Sequence, residues 1–132
     1  MLIVIDTSVI IAVLTSEPER GRLIRVTEDA DVVAPESVHW EVGNALSALL
    51  KRRLVTPDEI QQALKAYAQI PIRFLEVDLA TSLEIAAKHR VHAYDAYMVT
   101  CSLAQRAPLL TLDHGLKRVA TAAGITVIEV PV

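Results

Sequence analysis

The chain has 132 residues, 52% hydrophobic but only 4% aromatic, so its core must be built from Val, Ile, Leu and Ala. A formal net charge of −3 and a pI near 5.8 exclude a protein that holds nucleic acid by bulk basicity. A single cysteine, Cys101, excludes an internal disulfide, and no apolar run reaches the ~18 residues of a membrane span.

In chain order, the first strand candidate is Leu2–Ile5, four branched apolar residues that enter at once without a basic leader. A cytoplasmic, reducing compartment is the corresponding expectation. Helical patterns near 7–14 and 18–28 lead to a second strand at Val32–Ala34. Two further helices are expected near 37–53 and 57–68, the latter opened by Thr56 as N-cap with Pro57, Asp58 and Glu59 behind it. A strand at Ile72–Val77 and helices near 79–89 and 94–106 follow. Cys101, in "YMVTCSLA", reads as a buried and inert thiol. The chain closes with a strand at Leu109–Leu112, a helix near 114–123 ended by Gly124, and a strand at Thr126–Val130. Short strands separated by helices imply one α/β domain over 1–132, with a parallel sheet of about five strands covered on both faces.

Most of the 16 acidic residues fall on solvated helix faces, but four do not. Asp6 directly follows the first strand, and Asp113 follows the "PLLTL" strand in the same way. Ligands of open α/β sheets bind outside the carboxyl ends of the strands, so these two carboxylates share a rim. Glu41 lies at the edge of the apolar face formed by Val38, Val42, Ala45, Leu46 and Leu49, with Asn44 beside it at i+3. Asp95 opens a helix whose inward face carries Val99 and Leu103. Each acid alone has a plainer reading. Asp6, Asp95 and Asp113 precede helices, where aspartate is a favoured cap, and Glu41 could lie along the surface. Four such charges converging on one rim would repel one another unless a cation neutralised them. With no Cys/His cluster beside them, that cation would be Mg²⁺ or Mn²⁺ rather than Zn²⁺.

The stretches "VIDTSV", "EVGNAL", "YDAYMVTCSLA" and "LLTLDHGL" resemble the four acidic motifs of PIN-domain nucleases. The resemblance runs from residue 3 to about 129. The small single-domain length is similar to that of the VapC toxins of type II toxin–antitoxin systems. It implies a PIN-like three-layer α/β/α fold and a metal-dependent endoribonuclease using one or two Mg²⁺ or Mn²⁺ ions. It places Asp6, Glu41, Asp95 and Asp113 as catalytic metal ligands, with Thr7, Ser8, Asn44 and Thr111 in support. It also implies an RNA substrate, a VapB-type antitoxin partner and a homodimer, whose surface the apolar helices near 37–50 and 57–68 could supply. His114–Gly115 departs from the family, where a longer or more basic segment is common after the last acid.

Substrate grip is assigned to Lys88, Arg90 and His92, which precede the Asp95 motif, whereas Lys51, Arg52 and Arg53 suit a helix C-terminus. Trp40 falls opposite the apolar neighbours of Glu41, which implies a helix packed on two sides or a subunit interface. A haloacid-dehalogenase-type phosphatase would need an aspartate at position 8, which is Ser8. The acidic pair of a receiver domain is missing as well. The remaining alternative is a non-catalytic PIN-like module that binds RNA or a partner.

Overall fold

Leu2–Ile5 form a strand because four branched side chains in a row can all be buried when both faces of a sheet are covered; Ile3 and Val4 are 0% exposed. The structure, a computed structural model, describes residues 1–131, so Val132, the last residue of the expected domain, lies outside the described residues. The elements are β1 (Leu2–Ile5), α1 (Thr7–Leu14), α2 (Arg20–Thr27), β2 (Asp31–Pro35), α3 (Ser37–Lys51), α4 (Pro57–Ala68) and β3 (Ile72–Leu75). They continue with α5 (Leu79–His89), α6 (Ala93–Gln105), β4 (Leu109–Leu110) and α7 (His114–Ala122).

The strands make one parallel sheet in the order β3-β2-β1-β4. Val4 lies between Val33 of β2 and Leu109 of β4. The chain moves outward on one side of β1 through β2 and β3, then crosses to the other side with β4. That reversal puts a topological switch point at the carboxyl ends of β1 and β4, where doubly wound sheets open a crevice. Helices α2 to α4 pack around α1, while α6 lies on β1 and β2 with α5 and α7 against it, giving the three expected layers.

Among the described residues the sheet has four strands, not about five. The 126–130 run joins β4 by a single parallel bridge between Leu109 and Val127. β4 itself stops at Leu110 rather than Leu112 for a definite reason. The next two free amides are taken by side chains: Leu112 N–H donates to Ser8 Oγ at 3.0 Å and Asp113 N–H to Thr111 Oγ1 at 3.0 Å. The ladder is given up to build what lies beyond it.

Local signals explain the helix boundaries. Thr56 and Glu59 form a reciprocal capping box at the start of α4, with Pro57 at its first position. Gly124, at φ +86°, takes the left-handed backbone that closes α7. α3 ends at Lys51 rather than near 53, where Arg53 turns to φ +56°. Cys101 is buried as expected, and burial pushes its thiol up to about 11, so it stays protonated. Of the two readings of Trp40, the helix packed on two sides fails. Trp40 is 71% exposed, so α3 is not packed on that side within the chain. No helix among the described residues is long and apolar enough to cross a membrane.

Candidate active site

Asp6 leaves β1 at the switch point and occupies the N-cap position of α1, yet its side chain makes no capping hydrogen bond. Instead it is 7% exposed and takes two hydroxyl protons, from Ser8 Oγ at 2.6 Å on Oδ1 and from Thr111 Oγ1 at 2.7 Å on Oδ2. Each hydroxyl in turn accepts an amide proton from the turn after β4, Ser8 from Leu112 and Thr111 from Asp113. A helix-start serine and a residue more than a hundred positions away thus lock one carboxylate from both sides. The sequence reading expected hydroxyl support at these positions. Only the fold shows that the Thr111 hydroxyl donates to the first acid while accepting the backbone N–H of the aspartate two residues on.

Glu41 comes from the second turn of α3, half-buried, and accepts the Thr7 hydroxyl proton at 2.6 Å. Thr7 therefore supports the second acid and Ser8 the first, although the two are adjacent in the chain. Asp95 lies in the first turn of α6, half-buried, inside the helix rather than capping it; the cap is His92. Asp113 keeps the plainer role as well, since it caps α7 by accepting the Leu116 N–H at 3.1 Å. It is exposed, and Gly115 keeps its surroundings open: a Cβ there would meet Asp113 Oδ1 at 3.2 Å.

Electrostatics join the four acids. Burial, with Asp113 adding its repulsion, raises the Asp6 carboxyl to about 6 although both hydroxyls and the nearby Val9 N–H pull it back. Burial raises Glu41, with Thr7 opposing and Asp95 adding to the rise. Burial also raises Asp95, and Asp113 raises it further. The repulsions run from Asp6 to Asp113, on to Asp95 and then to Glu41, a line of pairwise neighbours along the rim. The residual negative charge is what a cation would relieve.

Asn44 is exposed on α3, one turn from Glu41. Lys88 and Arg90 stand exposed where α5 ends, Arg90 in the left-handed conformation of its cap. His92 is nearer the acids than either, close enough for a charge on its ring to lower both Glu41 and Asp95. The sequence reading missed Tyr94, whose ring stacks on His92 with centroids 5.2 Å apart. Its one signal was an aromatic residue directly before an acid in "HAYDAY".

The donor set is all oxygen, from carboxylates and hydroxyls, which suits a hard divalent ion. Among the described residues no three of the His, Cys, Asp and Glu side chains gather closely enough to cage an ion. Mg²⁺ does not require such a cage, because it keeps several waters and commonly takes only one or two protein carboxylates. The residues present therefore fit the ion.

With this geometry in view, the family model described as PIN domain matches residues 3–122. The chain belongs to the PIN domain family. Solved structures agree on the fold. PAE2754 from Pyrobaculum aerophilum is 22% identical with a TM-score of 0.71, the match covering 98% of this chain and 92% of that one. FitAcB from Neisseria gonorrhoeae is 19% identical with a TM-score of 0.69, covering 96% of each chain. VapBC2 from Rickettsia felis, bound to a DNA fragment from its promoter, is 13% identical with a TM-score of 0.67, covering 97% and 98%. No curated protein matches the sequence.

Proposed function

We propose that this PIN domain is a metal-dependent endoribonuclease, using Mg²⁺ or Mn²⁺, and the toxin of a VapBC-type toxin–antitoxin pair. The observation that carries the nuclease reading is the linked set of Asp6, Glu41, Asp95 and Asp113. Three of these carboxylates are held above their ordinary range by burial and by one another. Such a site is costly without a cation and useful with one. The toxin reading is supported by likeness to VapBC2 and FitAcB over nearly the whole of each chain. A homodimer and a cytoplasmic setting belong to the same reading.

In this mechanism Asp6, Glu41 and Asp95 would hold the ion, one or two of them directly and the rest through its waters, and Asp113 would complete a second site or orient the attacking water. When bound, the ion supplies charge neutralisation at the scissile phosphodiester and lowers the pKa of water at the site. Ser8 and Thr111 keep both Asp6 oxygens fixed, and Thr7 keeps Glu41 turned inward, so the carboxylates need little rearrangement. His92, Lys88 and Arg90 would meet the RNA strand on the α5–α6 side.

A non-catalytic binding role is favoured by one observation, that no three ligand-type side chains gather into a cage among the described residues. One experiment separates the two readings. Wild type and Asp6→Ala are purified in parallel and incubated with structured and single-stranded RNAs in Mg²⁺, Mn²⁺ or EDTA. Cutting by wild type alone, and only with metal, is the expected result. Equal cutting by both proteins would end the proposal. A folded wild type that neither cuts nor binds Mn²⁺ by calorimetry would leave the binding module as the function.

A further inference from the structure

The acid chemistry makes no use of the ring pair beside it. His92 caps α6, its Nδ1 accepting the Tyr94 N–H at 3.3 Å. The two rings lie 5.2 Å apart with 22° between their planes, and Tyr97 braces Tyr94 edge-on at 6.0 Å and 82°. Both members of the stack face solvent, Tyr94 to 39%. Here the backbone holds one ring and a third ring holds the other, so the stack is formed in advance.

Its position is as informative as its order. His92 and Asp95 stand at i and i+3 across the first turn of α6, a spacing that makes side chains neighbours. His92 also lies close enough to Glu41 and Asp95 to act on both electrostatically. A flat ring laid on the pair would thus have its backbone phosphate near the carboxylates. Duplex bases have both faces covered by their neighbours, whereas an unpaired base has a face free for a protein ring.

We propose that the His92–Tyr94 pair is a stacking platform that seats one unpaired nucleobase of the RNA beside the acidic site. Cuts then fall next to an unstacked nucleotide, and duplex RNA is refused. The ligand class rests on the nuclease reading above.

The probe is a five-nucleotide single-stranded RNA carrying one 2-aminopurine, whose fluorescence falls when it stacks. It is titrated in EDTA against an Asp6→Asn background, so that no cutting intervenes. Quenching is expected in that background and with Tyr94→Phe added. Tyr94→Leu and His92→Ala should abolish it and weaken binding about 5- to 150-fold, the roughly 1–3 kcal/mol of one base on an aromatic ring. Circular dichroism confirms the fold, and the Phe/Leu pair at position 94 isolates the π face from side-chain bulk. Equal binding by Tyr94→Leu and Tyr94→Phe overturns the platform, as does binding without quenching or no binding at all. Cleavage by wild type judges the nuclease separately: cutting with no effect of Tyr94→Leu removes the platform alone, while quenching without cutting removes the nuclease alone.

Discussion

Asp6→Asn should make the metal-free protein more stable at neutral pH while abolishing its activity. The Asp6 carboxyl titrates at about 6 in the fold against 3.8 when unperturbed, because burial disfavours its ionised form. Ionising it at pH 7 therefore costs the native state about 3 kcal/mol. The sign follows from proton counts. Between pH 3.8 and about 6 the folded chain holds a proton here that the unfolded chain has lost, so stability falls as pH rises through that window and is flat above it. Asparagine removes the charge but disturbs the hydroxyl network. Its amide must donate to Ser8 or Thr111, each of which already accepts a backbone N–H, and the displaced hydroxyl proton has only the other hydroxyl, 3.4 Å away. That mismatch costs about 1 kcal/mol, leaving a net gain of about 1–2 kcal/mol, or a Tm rise of roughly 3–8 °C. The assay is urea denaturation of metal-stripped wild type and variant from pH 4 to 8, read as the difference between them so that other groups cancel. The difference should grow from pH 4 to 6 and level off. A variant less stable than wild type at pH 7, or a difference indifferent to pH, would refute the account of Asp6 as a carboxylate held at a cost.

Three further outcomes follow from the same structure. Mg²⁺ or Mn²⁺ at a hundred times its dissociation constant should stabilise wild type by about 2.7 kcal/mol in a thermal melt, and Asp6→Asn should lose that response. Thr7→Val deletes the 2.6 Å hydroxyl bond to Glu41, so Glu41 should titrate higher still. Cleavage should drop roughly 10- to 100-fold and the acidic limb of the pH–rate profile should move to higher pH; an unchanged profile would remove Thr7 from the site. Arg106 ends α6 at φ +51°, a conformation that costs a non-glycine residue about 1 kcal/mol, so Arg106→Gly should raise the urea midpoint with its slope unchanged.

The extent to which the chain announces its own structure differs from element to element. Branched apolar runs bounded by turn residues marked β1 and β2, because such side chains can be satisfied only inside a covered sheet. Thr56-Pro57-Asp58-Glu59 marked the start of α4, and Gly124 the end of α7, since capping is a matter of a few neighbouring residues. The four acids were visible as carboxylates out of place in apolar surroundings, and the motifs around them pointed to the PIN family that the family model confirms.

What the sequence could not determine depends on groups far apart in the chain. The length of β4 was overestimated because the amides of Leu112 and Asp113 go to side-chain hydroxyls, and one of these, Ser8, lies about a hundred residues earlier. The division of labour between Thr7 and Ser8, one for Glu41 and the other for Asp6, follows from how α1 lies against α3 and the turn after β4. The exposure of Trp40 and the stacking of Tyr94 on His92 likewise depend on which neighbours arrive. Local propensity and hydrophobic pattern suffice to say what most segments are, the 126–130 run, which makes only a single bridge, being an exception. Which carboxylate is buried, what holds it and what it repels are properties of the assembled sheet rim, where proximity is created by topology.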